Sequence, residues 1–374
     1  MPITVFRSGV KGRQSLFKRP GFLVRLLSIP VTQRIMQEVE CRIWRSPCLF
    51  HAFLPDRQDN GISVEKRASE GNFLILVASG NGGVGMEVGM EILRRGGSAL
   101  DAVEAACRVV EDNLDDHSVG TGGYPNSDGD VELDASLMEG TTRRAGAVAA
   151  LKNYPNPISI ARAVMEHLPR HVLLAGEGAA LFAAEQGFET RTLLTAAAAE
   201  AFKRKTFTLS GEVYAFDGTS VRKTSETYGT VNFLALDEGG RMASAVSTSG
   251  WAFKHPGRVG DSPLIGAGNY CDDRFGACAC TGLGEWAVRA STARSVVLAM
   301  QFGRSLTDAC ELAFRDLFTI PVPPSVEPVM NLVGLERSGE HAGYSTVPGR
   351  TYVWQTADMA QFETQARVVV TQTP

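Results

Sequence analysis

"FLILVASGNGGVGMEVGMEILRRGG" (residues 73–97) carries a strand-like apolar run into a helix-like one across a G-x-G-x-x-G spacing at Gly80, Gly82 and Gly85. That fingerprint holds a dinucleotide only when the helix leads to a second parallel strand ending in an acidic residue that takes the ribose hydroxyls. Met86, Met90 and Leu93 fall at i, i+4 and i+7, the stripe of an amphipathic helix, and Gly96-Gly97 stops it. No strand follows. Ser98-Ala99-Leu100-Asp101 is a capping pattern opening a second helix with Val103, Ala106, Cys107, Val110 and Leu114 on its apolar face. Asp101 then belongs to a helix's first turn, and the glycines read as the makings of a tight turn.

Further on, a second glycine-rich loop, "DHSVGTGGYPNSDGD" (116–130), precedes a strand-like "VELDASLM", with helical patterns around 158–168 and 179–187. Residues 189–226 lack firm periodicity and read as an exposed connector. Strands resume with "VNFLALD" (231–237), a turn at Glu238-Gly239-Gly240 and "MASAVST" (242–248), together a hairpin. Internal repeats and coiled-coil heptads are absent. Strands and helices come in clusters instead of alternating strictly, which predicts an α+β sandwich over a doubly wound sheet.

Composition bounds the possibilities. With 374 residues, 44% hydrophobic and 21% charged, the chain can bury a sizeable core. A formal charge of -4 gives no electrostatic case for nucleic acid. Seven cysteines, with no C-x-x-C pair and no histidines at zinc-ligand spacing, read as reduced or packed thiols. No apolar run is long enough to cross a bilayer, which predicts a soluble protein with no membrane partner and leaves its compartment open. The first 37 residues hold seven Lys/Arg and no Asp or Glu, broken by Pro20 and Pro30. This bias suits a targeting segment, although Arg25 interrupts its apolar run, or equally a disordered extension or a start assigned upstream of the real one. Residues 1–70 are therefore set outside the fold.

The residues that carry chemistry lie between 225 and 289. Gly229-Thr230 ends the connector, Ser247-Thr248-Ser249-Gly250 follows one hairpin later, and "GRVGDSP" (257–263) and "TGLGE" (281–285) come after it. Each has an ordinary reading. A strand-opening threonine is usually a β-former, Arg258 and Asp261 at i and i+3 suit a surface ion pair, and Thr281-Gly282 suits a plain turn. Their order is what is unusual. Joined to "GGSALDAVEAACRVVEDN" (96–113), "SVGTGG" (118–123), "LDASLMEGTTRRAGAV" (133–148) and "AGYST" (342–346), it resembles the glycosylasparaginase branch of the N-terminal-nucleophile hydrolases, which also includes isoaspartyl peptidases and plant-type asparaginases. The resemblance spans about residues 73–355.

The resemblance implies a four-layer αββα sandwich, made as an inactive chain that cuts itself before a threonine. Thr230 opens its strand directly and keeps the family's register to Thr248, Arg258 and Thr281, whereas Thr227 would need three extra residues. The implied cut lies between Gly229 and Thr230, dividing the hydrolase domain into 71–229 and 230–374. It implies Thr230 as nucleophile and Thr248 as its hydrogen-bonding orienter. Arg258 would clamp the substrate's α-carboxylate and Asp261 would hold its α-ammonium, while Thr281 and the Gly282 N–H would form the oxyanion hole. No metal or organic cofactor is implied, although some relatives hold a monovalent cation at a loop matching 116–121. The implied substrate is a small asparagine or β-aspartyl compound and the implied assembly a homodimer of two-chain protomers. The activity implied is most like N4-(β-N-acetylglucosaminyl)-L-asparaginase, with isoaspartyl peptidase/L-asparaginase or an unprocessed, non-catalytic relative as alternatives.

Two positions depart from the pattern. Tyr228-Gly229 stands where glycosylasparaginases carry His-Asp, and Asn232 stands where glycine is usual. The tryptophan that glycosylasparaginases place near the start of the core has no counterpart around Asn81, although "NYCDDRFGACACTG" (269–282) is closer to their pattern. His117, His167, His171, His255 and His341 are scattered and receive no catalytic role. Asp272-Asp273 are expected as solvated carboxylates, and Trp251 and Trp286 as packing residues.

Overall fold

The computed structural model describes residues 73–204, 206–209, 212–216, 221–222, 229–324 and 326–372. The extension expected over residues 1–70, together with Cys41, Cys48, Thr227 and Tyr228, lies outside the described residues.

The chain opens with β1 (Ile75–Ser79), a single 3-10 turn over Gly80–Gly85, α1 (Met86–Arg94) and α2 (Ala99–Glu111). The expected capping box is present: Ser98 Oγ accepts the Asp101 N–H at 3.1 Å while the Asp101 carboxylate takes the Ser98 N–H. Met86, Met90, Leu93, Val103, Ala106, Cys107 and Val110 are all fully buried. Leu114 is not on that face. The helix ends at Glu111 and Leu114 is exposed, because Asn113 N–H turns back to the Val110 carbonyl and leads the chain outward. The glycines of the turn are explained by close approach. A Cβ at Gly85 would stand 2.4 Å from the Ala106 carbonyl oxygen, and one at Gly82 would stand 2.7 Å from Ala78 Cβ. The fingerprint packs against a helix backbone.

Next come β2 (Leu133–Glu139), β3 (Ala145–Leu151), α3 (Pro157–His167), β4 (Leu173–Ala175) and α4 (Gly176–Glu185). The segment expected as a connector holds α5 (Ala196–Arg204) and a small meander of β5 (Thr206–Leu209), β6 (Glu212–Phe216) and β7 (Val221–Arg222). Leu193 and Ala198 are buried, so its first part is anchored, a packing that weak periodicity conceals. The hairpin follows as β8 (Val231–Leu236) and β9 (Met242–Thr248), with Asp237 Oδ1 accepting the Gly239 and Arg241 N–H groups in its turn.

The remaining elements are β10 (Asn269–Asp272), β11 (Gly276–Gly282), α6 (Gly284–Ala290), α7 (Thr292–Gln301), α8 (Leu306–Phe318), β12 (Met330–Glu336), β13 (His341–Ser345), β14 (Thr351–Thr356), β15 (Glu363–Ala366) and β16 (Val368–Val369). Among the described residues the main sheet runs β15-β14-β1-β8-β9-β2-β3-β4 and the second runs β10-β11-β12-β13-β16.

Alternating side chains serve different interfaces. Leu76, Ala78, Phe233 and Ala235 face α1, α2 and α3, whereas Ile75, Val77, Leu234 and Val246 meet Ala277, Ala279, Val333 and Leu335 of the second sheet. On the far side of that sheet, Cys278, Cys280 and Leu332 pack with Trp286, Val296, Val297 and Phe314 from α6, α7 and α8. Strands covered on both faces need unbroken apolar sequence, which is why "ILVA" and "GACAC" show no polar alternation. The result is a mixed α/β architecture. Among the described residues, no helix is long and apolar enough to cross a membrane.

Candidate active site

Thr230 sits immediately before β8, a central strand of the main sheet, and Thr248 ends its hairpin partner β9. The pairing places them side by side: Val231 lies opposite Ser247, one residue in from each threonine. Thr230 Oγ1 lies 2.8 Å from the Gly229 carbonyl oxygen and 3.1 Å from Thr248 Oγ1, and Thr248 Oγ1 is 2.8 Å from that same carbonyl. The Gly250 N–H donates to Thr248 Oγ1 at 2.9 Å. Each hydroxyl has one proton, so the three oxygen contacts share two: with Thr248 donating to the Gly229 carbonyl and accepting from Thr230 and Gly250, Thr230 Oγ1 lies against that carbonyl with no proton between them.

Gly229 meets a steric demand, not one of backbone handedness. Its φ is not positive, but a Cβ there would fall 1.8 Å from Ser118 Cβ and Oγ. Asn232, the other departure, is fully buried. Its Oδ1 accepts the Ser79 N–H at 3.0 Å and its own N–H donates to Ser79 Oγ at 3.1 Å, while its Nδ2 has no partner among the described residues. Asparagine therefore ties the start of β8 to the end of β1, a bond glycine lacks. Ser79 Oγ reaches Asn81, whose Nδ2 donates to Asp116 at 2.9 Å, and Asp116 in turn accepts the Ser118 N–H.

Two cavities meet at Gly229 and Thr230. A small one, about 10 Å³, also touches Thr248, Trp251, Arg258, Asp261 and Gly282. This is scarcely room for one water. A large one of about 790 Å³ is walled by Asn81, Ser118, Thr281, Asn331, Arg350 and Arg367 among others. The structure thus brings the sequence-predicted residues around one threonine.

Arg258 and Asp261 do not form the ion pair that their spacing permits. Glu285, in the first turn of α6, takes Arg258 Nε and Nη2 at 2.8 Å each, and the guanidinium lies 4.7 Å above the Trp251 ring. Trp251 therefore supports the arginine, while Trp286 is buried in the core. Arg258 Nη1 and Nη2 are close to Gly260, where a Cβ would stand 3.0 and 3.3 Å away. Asp261 is buried with its Oδ2 unpartnered among the described residues. Burial pushes its pKa up to about 7, against the pull of its own backbone N–H and of Arg258.

Thr281 and Gly282 end β11 opposite Asn331 and Met330. Asn331 Nδ2 donates to Thr281 Oγ1 at 3.3 Å and Asn331 Oδ1 accepts from Ser345 Oγ at 2.8 Å, which frees the Thr281 proton to point elsewhere. Gly282 has φ +124°, and a Cβ there would lie 2.4 Å from the Val329 carbonyl oxygen, so the position requires glycine on both counts.

Other expectations resolve differently. Asp272 is buried and paired with Arg274 at 2.7 Å, and Asp273 is half-buried, accepting from Thr141 and the Met242 N–H. Both hold loops together and neither is a simple solvated carboxylate. Among the described histidines, only His117 lines the large cavity, donating from Nδ1 to the Gly122 carbonyl at 2.8 Å. Glu285, Asn331, Asn81 and Asp116 were not singled out as partners by the sequence; only the Glu closing "TGLGE" hinted at one.

Comparison with known proteins agrees with the resemblance. The asparaginase family profile matches residues 84–360. The chain is 39% identical over 262 residues to the N(4)-(Beta-N-acetylglucosaminyl)-L-asparaginase of Elizabethkingia miricola, spanning 69% of this chain and 74% of that protein. It is 38% identical over 258 residues to the isoaspartyl peptidase/L-asparaginase of Bos taurus, spanning 68% and 79%. To the plant-type L-asparaginase of Pyrococcus horikoshii it is 42% identical over 230 residues, spanning 60% and 74%. A profile covering most of the fold, and relatives aligned along most of their own length, place the chain in the asparaginase family of hydrolases, beside glycosylasparaginases and isoaspartyl peptidases/L-asparaginases.

Proposed function

We propose that this chain is a self-processing amidohydrolase that cleaves the β-amide of asparagine derivatives through an ester on Thr230. The contact that carries the reading is the triangle of Thr230 Oγ1, Thr248 Oγ1 and the Gly229 carbonyl, with sides of 2.8, 2.8 and 3.1 Å. Thr230 Oγ attacks the Gly229 carbonyl carbon, and its proton passes by way of the Thr248 hydroxyl to the departing Thr230 nitrogen. The Thr248 hydroxyl meanwhile steadies the charge forming on the carbonyl oxygen. The Gly229–Thr230 C–N bond breaks, leaving an ester that water hydrolyses to a Gly229 carboxylate and a free Thr230 amine.

That amine makes the enzyme. A threonine hydroxyl alone is a poor nucleophile, and an α-amine with an ordinary pKa near neutrality is a suitable base beside it. In turnover the amine takes the Oγ proton as Oγ attacks the substrate β-carbonyl, then gives it to the departing amine. Arg258 and Asp261 hold the substrate's α-carboxylate and α-ammonium, and Thr281 Oγ with the Gly282 N–H receives the oxyanion. Water then releases aspartate. The proposed architecture is the four-layer αββα sandwich of N-terminal-nucleophile hydrolases, assembled as a homodimer of two-chain protomers.

The leaving amine has two readings. A glycosylamine follows from the register of 269–282 and the Elizabethkingia miricola relative. An amino acid or ammonia is favoured by Asn81, a polar residue on the wall of the large cavity where a sugar platform would need an aromatic face.

The test is intact mass with N-terminal sequencing after incubation, beside Thr230→Ala, followed by assay on N4-(β-N-acetylglucosaminyl)-L-asparagine, a β-aspartyl dipeptide and asparagine. Two fragments, one beginning Thr-Val-Asn-Phe and absent from the variant, are expected. A new end at Thr227 moves the nucleophile, and a chain that stays whole and inactive makes this a non-catalytic relative.

A further inference from the structure

Glu111, the last residue of α2, is fully buried, and among the described residues no Lys or Arg pairs with it. Its carboxyl is held instead by three hydrogen-bond donors. Oε1 accepts the Ser247 hydroxyl at 2.6 Å and the Ile158 N–H at 3.1 Å, and Oε2 accepts Asn156 Nδ2 at 3.4 Å. Burial, against the pull of those three, pushes its pKa up to about 8, so near neutral pH the uncharged acid predominates.

The two bonds to Oε1 come from different pieces of structure. Ile158 lies in the first turn of α3, and the residue before that turn, Asn156, makes no capping bond with its side chain. Glu111 caps α3 from outside, taking an N–H that a helix start leaves without a partner. Ser247 lies in β9 beside Thr248, and the two side chains leave the strand on opposite faces, Ser247 toward Glu111 and Thr248 toward Thr230. The pairing of β9 with β8 and β2 holds the strand from its two edges, and the bond to Glu111 holds its end from below.

The backbone of the same residue reaches the site by a second route. Its carbonyl accepts the Thr121 N–H at 2.8 Å, and Gly120 comes so near that a Cβ there would fall 2.1 Å from that oxygen. The loop pinned in this way carries Ser118, whose carbonyl accepts the Ser249 N–H at 2.8 Å and lies 3.5 Å from Thr248 Oγ1, and whose side chain fills the space against Gly229. One residue therefore ties down both the strand end that carries Thr248 and the loop that packs on Gly229.

We propose that Glu111 is a positioning residue for the cleavage before Thr230, its carboxyl fixing Ser247 and with it the Thr248 hydroxyl against the Gly229 carbonyl. This rests on Thr230 being the nucleophile of that cleavage. Glu111 touches none of the reacting atoms. What it sets is the place of Thr248 Oγ1 among them, where small displacements weaken a bond that must form as charge develops.

Fragment formation is followed by mass from the freshly synthesised full chain, well below the lowest melting temperature of the set, for wild type, Ser247→Ala, Glu111→Ala, Glu111→Gln and the Glu111→Ala/Ser247→Ala double variant. Ser247→Ala should slow cleavage by about tenfold or more. Glu111→Ala should slow it at least as much, and the double variant should match Glu111→Ala within about twofold, because the two single changes remove one shared bond. Glu111→Gln keeps an oxygen that accepts from Ser247 and Ile158 and matches the uncharged acid in shape, so it should recover most of the rate. Ser247→Ala cleaving at the wild-type rate, Glu111→Gln as slow as Glu111→Ala, or additive slowing in the double variant overturns the inference and leaves the amidohydrolase reading intact. A wild-type chain that never cleaves overturns both. Ser247→Ala leaves α3 capped and decides where Glu111→Ala fails to fold.

Discussion

Thr248 illustrates how much one hydroxyl can carry. In the uncleaved chain it donates to the carbonyl that Thr230 would attack, which makes it the local donor for charge developing there. Removing such a donor typically slows acyl transfer by about 10²–10³-fold. Thr248→Val should therefore slow fragment formation by that order, followed as a time course by mass; a wild-type rate would remove Thr248 from the mechanism. Asp261 makes a second prediction. Its folded pKa is raised from the ordinary carboxylate value of 3.8 to about 7, so folding disfavours its ionised form. Stability contributed by the protonated form is lost as pH rises toward 7 and stays level above it. Substrate ammonium needs the ionised form, so KM for asparagine should rise as pH falls below about 7. Asp261→Asn should raise the melting temperature at pH 8 while weakening binding. A variant melting lower there would mean that the buried charge is stabilising, contrary to this account.

At the scale of elements, the site is set by glycines that let backbones touch. The 3-10 turn of Gly80–Gly85 is pressed between β1, β8 and α2, and the Ala106 carbonyl occupies the space beside Gly85. Gly85→Ala should lower stability by about 1–3 kcal/mol, the usual range for overpacking, read as a drop in denaturant midpoint. An unchanged midpoint would show that the turn can relax. Local patterns made many of these elements legible: the stripe of α1, the capping box of α2 and the β8–β9 hairpin all follow from neighbours within a few residues. What was hidden depends on distance in the chain. Arg258 finds Glu285, Asn331 finds Thr281, and Asn232 finds Ser79, pairings separated by 27, 50 and 153 residues that leave no periodic trace. For the same reason the spacing of Arg258 and Asp261 suggested an ion pair that the folded chain does not make. The proposed catalytic set was legible chiefly through its order along the chain, since each residue alone had an ordinary reading.

Across the molecule, the cysteines follow the layers. Cys107 is on the buried face of α2, Cys271 lies between the sheets, and Cys278 and Cys280 of β11 pack with Cys310 of α8, all free and buried. Burial pushes four of these thiols up from the ordinary value, and at Cys280 the hydrogen bond with Cys278 does so together with burial, leaving little thiolate at neutral pH. Iodoacetamide should label none of the five in the native protein and all of them after unfolding, as read by peptide mapping; rapid native labelling of one would reveal a local opening. The strand order has a further consequence. Read across the main sheet, β14 comes from beyond residue 229, β1 from before it, β8 and β9 from beyond, and β2 from before again. A cut after Gly229 therefore severs a thread in a woven cloth. The two pieces of the proposed cut would be separate polymers by covalent count yet one fabric, each supplying strands that close the other's hydrogen-bond ladders, so the break would add a chemical end without giving the molecule a seam.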